Sequence, residues 1–139
     1  MAAIRELSQK SHAKIQKSNP ERAQALETQC NEKWADHEDG RRVLPFHFPV
    51  VVVGTKYDVF GSHESEKLKW MCRALRYFSH LNSCDLVMTS NKDKGFAELM
   101  AIMNQHVFSG SRSPKLQFDH SNPLCVLSSR DQLTKIGEP

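Results

Sequence analysis

The sequence has no apolar stretch approaching the roughly 20 residues that span a bilayer, and its opening, MAAIRELSQKSHAK, lacks the apolar middle of a signal peptide. A soluble, intracellular protein with no membrane partner is expected. Also missing is any C-x-x-C pair: Cys30, Cys72, Cys84 and Cys125 stand apart, and Cys72 falls in an apolar helical stripe where a small hydrophobe would serve. Reduced thiols are expected. The histidines form neither H-x-x-x-H nor a paired Cys/His arrangement, so no metal is expected. Charge of one sign is lacking as well. Lys and Arg number 19 against 16 Asp and Glu, with an excess of one in each of residues 1–42, 43–108 and 109–139; without a basic arm, nucleic acid is not an expected partner. None of the glycines, at 40, 54, 61, 95, 110 and 137, belongs to G-x-x-x-x-G-K-[ST], the loop whose backbone amides cradle phosphates. No nucleophile stands in a suggestive order with a base, so no enzyme is expected.

What is present is an alternation of strand and helix in a chain of 139 residues, the size of one domain. Residues 3–33 are helix-permissive, broken at Asn19-Pro20, where Pro20 suits the first turn of a second helix. Their sparse apolar positions, Ile4, Leu7, Ile15, Ala23 and Leu26, predict a covering element. Pro45 and Pro49 hold an Asp- and Gly-rich loop extended up to Val50. Val50 to Val53 are apolar without alternation, the pattern of a parallel strand covered on both faces, and a central position is expected. A helix over 65–81 follows, with Ser62 as the expected N-cap, Glu64 and Glu66 near its positive end, and Leu68, Met71, Cys72, Leu75 and Phe78 on its sheet-facing side. DLVMTS reads as a second strand, NKDKG as a turn, and Phe96, Leu99, Met100, Met103 and Val107 as the core stripe of another helix. Leu124 to Leu127 are a candidate further strand in a loop-rich tail. The fold class expected is α/β, with parallel strands and flanking helices.

In open α/β sheets, ligands sit outside the carboxyl ends of the strands, where GTKYD and TSNKDKG lie. Thr55-Lys56-x-Asp58 fits [N/T]-K-x-D, a pattern that reads guanine. Asp58 can accept from the base N1–H and 2-amino group, Lys56 can lie along the base, and Thr89, Ser90 and Asn91 can present backbone N–H groups to O6. Taken alone, the same side chains could equally solvate a strand end, and a phosphate half is missing. On the wheel of helix 65–81, Trp70 and Tyr77 lie opposite the apolar side with Arg73 beside them. Aromatics among cations are the residue types of interface hot spots, or else they are covered by the lead-in helices or by further chain.

The run from LPFHFP to NQHVFSG resembles the light intermediate chain family of dynein motors, in its cytoplasmic dynein 2 branch. The resemblance rests on GTKYDVF, the SEK that opens the next helix, LRY, the TS strand end and NQHVFSG, and continues into NPLCVLSSRDQLTKIGEP. It implies the C-terminal half of a Ras-like (P-loop NTPase) domain, with residues 1–42 a helical lead-in and loop, 43–110 the half-domain and 111–139 the tail. It further implies a non-catalytic subunit that binds the dynein 2 heavy chain and other dynein 2 subunits. That subunit would support retrograde intraflagellar transport and cilium assembly, located in cytoplasm, cilium, basal body and microtubule cytoskeleton. The family pattern runs further at both ends, so a fragment, partial gene model or short isoform is expected, and GTP or GDP only in a longer chain. The alternatives are a fragment of a guanine-nucleotide-binding switch protein and an α/β domain of unrelated role.

Overall fold

In the computed structural model of the chain, which describes residues 1–90, 95–108 and 110–137, the elements run α1 (Ala2–Ser18), α2 (Pro20–Ala35), β1 (Val50–Gly54), α3 (Tyr57–Phe60), α4 (Ser65–Leu81), β2 (Cys84–Met88), α5 (Phe96–Phe108), β3 (Cys125–Val126) and α6 (Leu133–Ile136). The fold is mixed α/β, with the expected strand and helix alternation over residues 50–108. β1 and β2 are parallel, Val50 opposite Cys84 and Gly54 opposite Met88. The candidate strand in the tail is β3, antiparallel to β2 on its other side, Leu86 opposite Val126 and Val87 opposite Cys125.

The order β1-β2-β3 corrects the expectation that Val50–Val53 is central. All five residues of β2 are buried, whereas β1 is an edge among the described residues and Val53 is 42% exposed. The physical reason is that an apolar run without alternation reports covered faces. Those are present: Val52 packs into a cluster with Tyr57, Cys72, Leu86, Met88, Leu124 and Val126 on one side, and Val51 packs against Val87, Ile102 and Cys125 on the other. Whether both edges are hydrogen-bonded is a backbone property that side-chain pattern does not encode.

α4 and α5 cover opposite faces, and each is turned from its expected orientation. On α4, Leu68, Cys72, Ser79 and His80 are buried and Leu75 packs on the core, but Met71 and Phe78 are 38% and 42% exposed. Polar contacts at the end of the helix account for this, since His80 is drawn inward by Asp39. The correction on α5 is larger. Ala101 and Ile102 are buried and Leu99 packs beside them, while Phe96, Met100, Met103 and Val107 face solvent. Asp85, buried in the central strand on that face, explains the rotation: its carboxylate takes His106 Nε2 at 2.5 Å and Ser128 N–H at 2.7 Å. An unpaired buried carboxylate costs several kcal/mol, so the helix presents the face that carries His106.

The lead-in follows its expectation at Asn19-Pro20. Pro20 opens α2, and the Asn19 side chain accepts from Arg22 N–H at 3.0 Å. Arg5 of α1 donates to Leu44 C=O (2.7 Å) and Asn82 Oδ1 (2.8 Å) and lies over the Phe46 ring. The Trp34 indole of α2 donates to Ser83 Oγ at 2.7 Å. Ser62 is not the cap of α4; the helix begins after Glu64, and Ser62 Oγ donates back to Val59 C=O. No helix of the described residues is long and apolar enough to cross a membrane.

Candidate functional site

The carboxyl ends of β1 and β2 are tied by two backbone bonds, Thr89 N–H to Gly54 C=O (2.7 Å) and Tyr57 N–H to Thr89 C=O (2.9 Å). Thr55–Asp58 therefore stands beside Thr89–Ser90. Lys56 has φ +58°, a left-handed conformation that few non-glycine residues adopt. It ends the strand direction and starts α3 at Tyr57, which places exposed Asp58 in the first turn of α3. Thr55 and Lys56 are exposed, Thr89 and Ser90 half-buried; Asn91 lies outside the described residues. Gly95 closes this end: at φ +81°, a Cβ there would sit 1.9 Å from Met88 O, so the chain returns hard against the end of β2. The cavity beneath, lined by Gly54, Thr55, Tyr57, Phe60, Leu75 and Met88, holds about 110 Å³. Small-molecule pockets run to about 300 Å³ or more. Among the described residues, a base here would lie on the surface, where Asp58 is exposed and can accept hydrogen bonds.

The second candidate surface is α4. Trp70 is 61% exposed, and Arg73 and Tyr77 are half-buried. Arg73 rests its guanidinium near the tail, 3.8 Å from where a Cβ on Gly137 would be. Between α4 and α6 runs a cleft of about 200 Å³, lined by Lys69, Arg73, Arg76, Lys135 and His120 over Cys72, Phe118 and Ile136.

The sequence did not reveal a buried polar latch at the other end of α4. Asp39 Oδ2 accepts from His80 Nε2 (3.0 Å) and from Leu133 N–H (2.9 Å) at the start of α6. The Asp39 N–H donates to His37 Nδ1 (3.1 Å), so His37 Nε2 carries the proton and donates to Asp131 C=O (3.0 Å). Arg76 grips both oxygens of Asp131 at 2.8 Å. His80 is 3% exposed, and its Nδ1 has no partner among the described residues. Burial pushes the His80 pKa down, against the pull of Asp39. His37, Asp39 and His80 offer ligand atoms within 4.8 Å of one another, as do His12, Glu27 and His47. Motif spacing missed both groups because their members come from different elements. In the first group those atoms already hydrogen-bond to one another and to the backbone, which makes it a structural lock joining the loop, α4 and α6. Every cysteine is buried; burial raises Cys72, Cys84 and Cys125 each to about 11 and also lifts Cys30.

No family model matches the chain. It is 35% identical over 104 residues to the human protein named cytoplasmic dynein 2 light intermediate chain 1, and 34% identical over 104 residues to the bovine one. The zebrafish (Danio rerio) protein of that name is 33% identical over 105 residues. Each match takes in 75% of this chain. The resemblance read from the sequence is thereby shown. The chain spans about 30% of the length of these relatives.

Proposed function

We propose that the chain is the corresponding part of a non-catalytic dynein 2 light intermediate chain, with the architecture of the C-terminal half of a Ras-like domain. Its work is to hold the dynein 2 heavy chain and, with the other subunits, to serve retrograde intraflagellar transport and cilium assembly from the cytoplasm, basal body, cilium and microtubule cytoskeleton. The observation that carries this reading is the match of three quarters of the chain to proteins of that name. The edge of β1, open among the described residues, and the outward apolar side chains of α5 support it, because both are surfaces that more chain or a partner would cover. The α4 face carrying Trp70, Arg73 and Tyr77 is the proposed heavy-chain contact.

A second reading, a guanine-nucleotide-binding fragment, has Thr55, Lys56, Asp58 and Thr89 at adjoining strand ends in its favour. Phosphate and Mg²⁺ contacts dominate nucleotide affinity in such folds, and the sequence has no phosphate loop. The guanine edge is accordingly proposed as vestigial, with no cofactor held by this chain. Two measurements separate the readings. Affinity-tagged chain expressed in ciliated cells should bring down dynein 2 heavy chain, and should lose it with Trp70→Ala/Tyr77→Ala at unchanged melting temperature. Labelled GDP should bind the purified chain no better than micromolar. Failure to recover heavy chain refutes the first reading; sub-micromolar GDP binding abolished by Asp58→Ala establishes the second.

A further inference from the structure

We propose that the cleft between α4 and α6 is a docking site for an acidic segment of a protein partner, which seats a carboxylate among Lys69, Arg73 and Lys135. This rests on the reading of α4 as a partner-facing surface and names the chemistry that surface would take. Five basic side chains line the cleft, and two are committed. Arg76 is held by both oxygens of Asp131 at 2.8 Å and by Phe118 C=O at 3.3 Å, and the His120 ring meets Asp119 at 3.2 Å and Ser65 Oγ at 3.4 Å. Lys69, Arg73 and Lys135 differ: among the described residues no carboxylate lies within 4 Å of any of them, although all three line the same cleft. Like charges converging with no paired carboxylate among the described residues repel, and an anion entering between them relieves that repulsion.

The size and surroundings of the cleft select the kind of anion. A volume of about 200 Å³ is below the range of about 300–1,000 Å³ typical of metabolite pockets, and suits one or two side chains of a larger molecule. On the floor Cys72 and Ile136 are buried and Phe118 is half-buried, so the Phe118 ring is the apolar surface that an occupant can meet beside its charge. Nucleic acid calls for an extended basic track, whereas three cations here are bounded by the Asp119 and Asp131 carboxylates. At 100° per residue, Lys69, Arg73, Tyr77 and Trp70 fall within about 100° of one another on α4. The exposed Trp70 is thus on the same side of α4 as Lys69 and Arg73, though not in the lining of the cleft, and aromatic with Arg is a combination that recurs at interface hot spots.

The test uses the full chain, ¹⁵N-labelled, titrated with the peptide acetyl-Glu-Glu-Phe-Glu-Glu-amide. Saturable shifts are expected at the amides of Lys69, Arg73 and Lys135 and at the Trp70 indole N–H. Affinity should fall roughly tenfold or more in Lys69→Glu/Arg73→Glu, with the melting temperature kept, and stay unchanged in Lys14→Glu/Lys17→Glu on α1. Shifts scattered over all lysines, equal binding by the α1 variant and the cleft variant, or the same shifts produced by inorganic phosphate alone would each overturn the proposal. A further arm asks whether Lys69→Glu/Arg73→Glu still brings down heavy chain. If it does while peptide binding is lost, the acidic-segment chemistry fails for that partner and the motor-subunit reading stands.

Discussion

Lowering the pH below the ordinary histidine range should loosen the polar latch at His80. His80 is 3% exposed, donates from Nε2 to Asp39 and leaves Nδ1 buried without a partner among the described residues. Protonating Nδ1 would bury a cation with a donor that nothing accepts. Burial is the main force holding its pKa below 6.5; the Asp39 hydrogen bond and the charges of Asp39 and Asp131 oppose it, and His37 adds to the lowering. Because the folded-state pKa is depressed, the unfolded chain binds this proton first as pH falls. Stability from His80 is therefore complete above about pH 6.5 and declines as pH drops from there toward the folded-state pKa. The slope cannot exceed about 1.4 kcal/mol per pH unit for one proton. Urea unfolding of the full chain at pH 7.5, 6.5, 6.0 and 5.5 measures it. His80→Gln should be less stable at pH 7.5, by about 1–3 kcal/mol, for the loss of the well-placed donor to Asp39, and its stability should vary less between pH 6.5 and 5.5. A wild-type chain equally stable at pH 7.5 and 5.5, or a variant that keeps the full wild-type slope, would refute the reasoning.

The rotation of α5 can be tested at its pin. His106→Ala should cost roughly 1–3 kcal/mol, the range for removing one hydrogen-bond partner of a buried acceptor; Asp85→Leu with His106→Leu should recover most of that, read as the midpoint of denaturant unfolding. At Cys72, 2% exposed with its thiol raised to about 11, substitution by Ser should destabilise by roughly 1–3 kcal/mol through an under-satisfied hydroxyl, and a thiol reagent should label the native protein there only as fast as it unfolds.

Local chemistry was legible where one backbone segment decides the outcome. Asn19-Pro20 ended one helix and capped the next, the valine run made a strand, and the order of strand and helix over residues 50–108 came from periodicity alone. The adjacency of Thr55–Asp58 to Thr89–Ser90 was legible for the same reason, since a parallel pair must bring two carboxyl ends to one side. What failed depended on partners far away in sequence. Asp39 meets a histidine 41 residues on and an amide 94 residues on, and no spacing rule reaches that distance.

The expected stripe of α5 failed for a reason that reaches past this helix. Periodicity assumes that the apolar face is the buried one, but a helix over a sheet must also satisfy whatever polar group the sheet presents. Here that group is Asp85, the second residue of a strand buried along its whole length. Burial alone would raise the pKa of that carboxyl; the His106 and Ser128 hydrogen bonds outweigh it and hold the group ionised, below the usual carboxylate range. An ionised carboxylate in the core constrains the helix above it: leaving it short of a partner costs several kcal/mol at one point, against about 1 kcal/mol forgone by each half-exposed methionine or valine. Ile102 and Leu99 then supply the contact with Val87, Val51 and Cys125, and Phe96, Met100, Met103 and Val107 are left pointing outward. The outward stripe thus follows from the contact the core makes with Asp85, and it is a second uncovered surface besides the edge of β1, which is open among the described residues.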